Sequence, residues 1–261
     1  MKQYNGEKYI VSFTSFGKRV EKAAIMVWYL LTRQTFKNFH LVLTLHKDDV
    51  KHIGHDMGLI IKANLLELIV GDNDYGPHMK YYYAMQKYGD HPIITIDDDR
   101  MYAPDTIQQL VKKFETLNYT SIVSNCAIKM GRTADGHITG YPEWIPRRLK
   151  PDEKSYIAMA EGFAGILYPP NVYPDLANRT EDILKCKFDD DLYLTTLRIE
   201  KKIPVTQASH MPNYGDANNE ANNIAEMMQY NLHNNQNAGD INRVKMCYLF
   251  EDRLLKGFDL E

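Results

Sequence analysis

Two rhythms of apolar and polar positions alternate along this chain, and their succession lays out its elements. Tyr9-Ile10-Val11-Ser12-Phe13 is an apolar run of strand length. Behind it Val20, Ala23, Ala24, Val27, Leu30 and Leu31 recur at the spacing of one helix face. The order then repeats, with a strand from Phe39 to Leu45, a helix from about Asp48 to Met57, a strand around Leu66 to Val70 and a helix from about His78 to Tyr88. Ile93-Ile94-Thr95-Ile96 reads as a fully buried strand, followed by a helix from about Thr106 to Leu117 and a strand at Thr120 to Ser124. Strands that alternate with helices predict a layered α/β domain with a mostly parallel sheet and right-handed crossovers.

After Cys126 the rhythm breaks. Residues Ala127 to Glu161 are rich in Gly, Pro and charge, with Trp144-Ile145-Pro146-Arg147-Arg148 at their middle, and read as a long ordered loop rather than as core. A second half begins with Gly162-Phe163-Ala164-Gly165-Ile166-Leu167-Tyr168, an apolar strand closed by Pro169-Pro170, and continues with a helix at Asp191 to Lys201 and a last strand at Ile203 to Thr206. From Asn213 to Asn242 the chain carries ten asparagines. Ala217, Ala221, Ile224, Met228 and Leu232 nevertheless keep a helical stripe there, which predicts an amphipathic helix.

Composition narrows the function classes. At 261 residues and 44% hydrophobic content the chain is long enough for a substantial core, and 31 basic against 34 acidic residues leave a net charge of −3. A dedicated nucleic-acid binder is normally strongly basic, so that class is set aside. Cys126, Cys186 and Cys247 are odd in number and far apart, which indicates neither a disulfide framework nor a zinc site and points to a reducing compartment. No signal-peptide core follows Met1, and the longest apolar run, Ala23 to Leu31, is too short to span a bilayer.

The chemistry concentrates in two acidic triplets. Asp97-Asp98-Asp99 directly follows the buried strand, at the carboxyl end where open α/β sheets bind ligands. Three adjacent carboxylates there call for a compensating cation, and hard oxygen donors suit Mg²⁺ or Mn²⁺, which in turn neutralise phosphate oxygens. A plain acidic cap on the following helix is the competing explanation. Asp189-Asp190-Asp191 opens a helix, where one acid satisfies the dipole and three exceed it.

With Val11 to Arg19, Asp74-Tyr75-Gly76-Pro77-His78-Met79-Lys80, Ile94 to Asp99 and Phe188 to Leu194 in this order, the chain resembles bacterial glycosyltransferases of the GT-A fold that build surface polysaccharides. The resemblance implies a Rossmann-like, mixed but mostly parallel sheet flanked by helices. It implies a catalytic domain over 1–212, with a nucleotide-binding half over about 1–126 and an acceptor half over about 127–212, and a helical C-terminal extension over 213–261. Asp99 and Asp97 would hold the metal with His210 as third ligand, and Asp97 and Asp98 would also serve the donor. Thr14, Ser15, Arg19 and Lys80 would complete the nucleotide-sugar site, the two cations against the diphosphate. Asp191, with Asp190 beside it, would be the general base of an inverting transfer. On the acceptor side, Gly162, Phe163 and Ala164 would underlie the donor sugar. Trp144, with Tyr141, Arg147 and Arg148, would offer a platform to a saccharide or an anionic lipid-linked acceptor. The setting implied is the cytoplasm, with peripheral contact at the inner face of the membrane as an option.

Two rival classes remain open. A metal-dependent nucleotidyltransferase also pairs carboxylates around a cation, but normally carries a Gly-rich phosphate loop after its first strand, where this chain has only Gly17. A non-enzymatic saccharide-binding module would account for 18 tyrosines and 9 phenylalanines, yet has no need of two acidic triplets.

Overall fold

Strand β1 (Tyr9–Thr14) sorts its side chains by parity, as the pleat requires: Tyr9, Val11 and Phe13 enter one core, and Ile10 enters the core on the opposite face. Both faces are therefore covered, the condition under which parallel strands read as continuous apolar runs. The computed structural model describes residues 8–208 and 249–261. Around β1 the chain forms α1 (Arg19–Arg33), β2 (Phe39–His46), α2 (His55–Lys62), β3 (Glu67–Gly71), α3 (Met79–Lys87), β4 (Ile93–Thr95), α4 (Thr106–Thr116) and β5 (Ile122–Ser124). Val20, Ala23, Ala24, Val27 and Leu30 of α1 are buried as the stripe predicts. The expected helix at 48–57 divides instead, because the backbone is extended at Ile53 and Gly54; a 3₁₀ turn over Lys47–His52 precedes it and α2 follows.

The second half supplies β6 (Ala127–Lys129), the short α5 (Tyr141–Trp144), β7 (Lys154–Ser155), β8 (Ala158–Ala160), β9 (Ile166–Tyr168), α6 (Thr180–Lys185), α7 (Asp190–Glu200) and β10 (Val205–Gln207). The main sheet has the order β3-β2-β1-β4-β9-β5-β10-β7. β1 pairs in parallel with β2 and β4, β2 with β3, and β5 with β10, while β9 runs antiparallel between β4 and β5 and β7 antiparallel at the edge. The sheet is thus mixed and mostly parallel.

Residues 127–161 correct the expectation of a loop outside the core. β6 and β8 pair as a second, two-stranded sheet, β7 joins the main one, and Ile128, Met130, Trp144 and Met159 are fully buried. Strands of two or three residues are too short to leave a periodic trace in sequence. The expected strand at Gly162 also starts late, since Gly162–Ala164 forms a 3₁₀ turn before β9.

The Asn-rich segment with its predicted helix lies outside the described residues. Residues 249–255 are helical, and Phe250 and Leu254 are buried in the same cluster as Tyr193 and Leu197 of α7. Arg253 reaches Glu200 at 2.5 Å and Asp182 at 2.9 Å. This end of the expected extension is therefore part of the core of the second half. Among the described residues no helix is long and apolar enough to cross a membrane.

At the sheet's edge Glu67 collects three donors, Lys87 at 2.6 Å, Tyr88 at 2.5 Å and His40 at 2.6 Å. Burial by itself raises the Glu67 carboxyl, but these hydrogen bonds outweigh it and hold the group down at about 2. A carboxylate depressed on folding contributes stability above its unfolded value and loses it as pH falls towards the folded one. Glu67→Gln is thus expected to lower the urea midpoint at pH 6, with the gap to the native protein closing as pH falls from about 4.5 to about 2. A gap of constant size across urea titrations at pH 6, 4 and 3 contradicts that assignment.

Candidate active site

The carboxyl ends of β1 and β4 and the start of α7 open into one cleft of about 820 Å³, lined by nine carboxylates and four cationic side chains. Chain order does not bring these elements together. The insertion of β9 beside β4 and the packing of α3 across β1 and β4 do.

The first triplet is divided between two cations. Asp98 is buried, with its Oδ2 accepting from Ser15 Oγ at 2.6 Å and Arg19 Nε at 3.1 Å, and its Oδ1 paired to Arg19 Nη2. Arg19 also lies 3.3 Å from Asp99. Burial opposes the Arg19 charge, but Asp98, Asp99 and Asp97 outweigh it and raise its pKa. Asp98 is pushed up to about 6, by burial first, with Arg19 opposing and Asp99 reinforcing. Asp97 turns the other way, its Oδ1 accepting from Lys80 Nζ at 2.8 Å, and it is the most open of the three.

Lys80 carries the connection to the second triplet. The residue is 4% exposed, and its ammonium lies 2.9 Å from Asp190 Oδ2. Burial alone would lower its pKa, yet Asp190, Asp97 and Asp191 together hold it well above the ordinary value. Asp189 caps α7, its Oδ1 accepting from the Leu192 N–H at 3.2 Å. Asp191 accepts from the Gly162 N–H at 3.0 and 3.1 Å through its two oxygens. Both Lys80 and Arg19 are therefore buried counter-charges, neither a solvated helix-surface cation.

The remaining expected residues divide. Thr14 lines the cleft while its hydroxyl donates to Thr44 O at 2.7 Å. Phe163 lines it with the Arg100 guanidinium 5.1 Å from its ring centroid. Gly162 and Ala164 are buried beneath it. Trp144 does not form an acceptor platform: it is fully buried and its indole N–H donates to Thr139 Oγ1 at 3.0 Å. Tyr141 does line the cleft, whereas Arg147 and Arg148 do not, and Arg147 donates to Met130 O at 2.9 Å. His210 lies outside the described residues.

Sequence reasoning missed Glu161, Asp49 and the Asp74–Lys187 pair, all at the cleft. Glu161 accepts from Tyr141 Oη at 2.5 Å, and Asp49 from the Gly17 N–H at 2.8 Å. Asp49 lies in the 3₁₀ turn over Lys47–His52, and Asp74 and Glu161 lie in irregular segments, where no periodicity marks a residue as facing a cleft. Among the described residues no group of three His, Cys, Asp or Glu side chains is gathered around one point as a finished metal site.

No protein-family model matches the chain, and comparison with curated proteins gives no match either. Solved structures do match. The fold is similar to that of residues 1–349 of S. aureus TarS in complex with UDP, with a TM-score of 0.51 and 15% identity over 78% of this chain and 59% of that one. TarS in complex with UDP-GlcNAc gives 0.50 and 15% over 78% of this chain and 57% of that one, so this chain spans under two thirds of the TarS segment. The 4-diphosphocytidyl-2C-methyl-D-erythritol synthase of Anaerococcus prevotii DSM 20548 gives 0.46 and 12% over 87% of this chain and 99% of that one. At such identities the likeness is one of fold, and at that level the resemblance to GT-A glycosyltransferases holds: a Rossmann-like, mostly parallel sheet flanked by helices.

Proposed function

We propose that this chain is a metal-dependent, inverting glycosyltransferase that moves a sugar from a UDP-sugar to a saccharide or lipid-linked saccharide in cell-surface polysaccharide synthesis. The observation that supports this reading most is the meeting of two acidic triplets, one at a strand end and one at a helix start, in a single large cleft where carboxylates outnumber cations nine to four. That excess of hard oxygen donors fits Mg²⁺ or Mn²⁺. Asp99 and Asp97 are the residues that would hold the ion, with His210 from outside the described residues. When bound, it would neutralise the charge that develops on the departing diphosphate.

The chain's own residues account for the rest. Thr14 and Ser15 at the end of β1 floor the donor side. Arg19 and Lys80 fix the carboxylates in place, so that they do not splay apart before the donor arrives. The acceptor hydroxyl must lose a proton as it attacks, and Asp191 is the carboxylate best placed to take it. Asp189 serves the helix cap, Asp190 pairs with Lys80, and Asp191 is oriented by a backbone N–H. Gly162 has a steric duty as well. A Cβ there would stand 2.8 Å from Asp191 Oδ1 and 2.9 Å from Lys80 Nζ.

The direct test is UDP release from UDP-glucose, UDP-galactose and UDP-N-acetylglucosamine with Mn²⁺ and saccharide acceptors. Pyrophosphate release from CTP or UTP in the presence of a sugar phosphate, with no UDP release, would instead establish a nucleotidyltransferase. Asp99→Ala is expected to abolish Mn²⁺-dependent UDP binding in calorimetry while the circular dichroism spectrum stays native; unchanged affinity in that variant rules out the metal assignment. Asp191→Asn is expected to cut transfer by about two to four orders of magnitude, the usual worth of general-base catalysis, with donor affinity kept. Normal turnover in that variant, or a product that retains the donor's anomeric configuration, removes the inverting mechanism. Gly162→Ala is expected to cost about 1–3 kcal/mol through overpacking, and less in an Asp191→Ala background that opens the space. Equal urea-measured losses in both backgrounds would show that the contact is slack.

A further inference from the structure

One wall of the cleft is built from two segments far apart in sequence, Asp74 to Lys80 and Cys186 to Asp191, and four contacts fasten them. Lys187 Nζ reaches Asp74 Oδ2 at 2.7 Å. Gly76, at φ +59, lies so close beneath Lys187 that a Cβ would stand 2.8 Å from its carbonyl oxygen. The Lys80–Asp190 ion pair closes the far end at 2.9 Å. Between them His78, wholly buried, places Nε2 3.0 Å from Cys186 O and Nδ1 2.6 Å from Tyr81 Oη.

The chemistry of these partners fixes the tautomer. A carbonyl oxygen only accepts, so Nε2 carries the proton; the neutral ring then accepts at Nδ1, and Tyr81 donates. Burial keeps the ring neutral, lowering its pKa against the opposing pull of Asp190, the Cys186 carbonyl and Asp189. Cys186 O also accepts from the Asp189 N–H at 2.9 Å, so the imidazole grips the turn from which the α7 acids project. Edge contacts with Tyr81 and Tyr193, each at 5.6 Å between centroids, hold the ring on both sides.

We propose that His78 is a positioning residue that sets where the carboxylates of Asp190 and Asp191 stand relative to the Asp97 side of the cleft. The role in turnover rests on the glycosyltransferase reading; the structural coupling does not. His78→Phe keeps the ring packing and deletes both hydrogen bonds. His78→Gln supplies an amide that can donate to Cys186 O and accept from Tyr81.

In His78→Phe, hydrogen exchange over residues 186–193 is expected to rise about tenfold or more, with β1 and β4 unchanged, as local opening would give. For whichever of the three UDP-sugars above the native enzyme turns over, kcat is expected to fall about ten- to a hundredfold through misplacement, with UDP affinity and donor KM kept. His78→Gln is expected to recover both. Exchange over 186–193 that stays native, or rises evenly along the chain, overturns the proposal, as does a native kcat in His78→Phe. If that variant does not fold, Tyr81→Phe decides: it removes only the proton given to Nδ1, and faster exchange confined to the same segment is required. If the native protein neither binds UDP nor releases it, the glycosyltransferase reading fails and the exchange result alone judges the coupling.

Discussion

The Lys80 ammonium, 2.8 Å from Asp97 and 2.9 Å from Asp190 and almost out of water, is what allows two acidic segments to share one cleft. Two carboxylates at about 4 Å repel by about 4 kcal/mol in the effective dielectric of a protein surface, and more in a drier site. A cation between them turns that repulsion into two attractions. Its own position is imposed from below, because the Lys80 carbonyl accepts from Ser12 Oγ at 2.6 Å and so fixes α3 against β1. The chain of constraint runs from the central strand through α3 and the ammonium to the ends of β4 and α7. A lysine suits this joint better than an arginine, since a compact point charge with three donors fits between carboxylates that a planar fork would spread.

Arg19 plays the companion role, and its fork matches a carboxylate edge. It meets Asp98 through both Nε and Nη2 and reaches Asp99 as well. The triplet after β4 is consequently not one acidic patch. Asp97 belongs to Lys80 and the wall of α3 and α7; Asp98 and Asp99 belong to Arg19 and the start of α1. A cation arriving at Asp97 and Asp99 would bind between two ion-pair systems that already hold the carboxylates apart, and its entry would rearrange charges already paired.

This division explains what could be read in advance. The strands β1 to β4 and the helices α1, α3 and α4 were legible because each is long or apolar enough to impose its period, and the acids after β4 were legible because three adjacent carboxylates directly follow a buried apolar strand. Lys80 and Arg19 were visible as cations but not as buried ones: each opens a helix, where a solvated charge is ordinary, and their partners stand 17 to 110 residues along the chain. Trp144 misled for the same reason. An aromatic beside two arginines in a Gly- and Pro-rich stretch suggests a binding face, and only the pairing of β6 with β8, strands of three residues each, shows that it fills a core. Short strands owe their existence to neighbours, which no local window contains.

Helix α7 unites these observations. Nine of its eleven residues are buried, so the helix is not free to reorient around its acidic start. Its far end is tied down independently: Glu200 pairs with Arg253 and Arg179, and the Arg198 guanidinium donates to the carbonyls of Ala158 and Ile203, while nearer its start Tyr193 meets Phe250 at a tilted angle, 5.9 Å between centroids. A cation near the carboxyl end of a helix also complements its dipole. The carboxylates at Asp189 to Asp191 are thus carried on a rigid rod clamped at both ends, by the 249–261 segment behind and by His78 and Lys80 in front. The ends of β1 and β4 and the acids at the start of this rod line one cleft, and the distance between them is set by core packing.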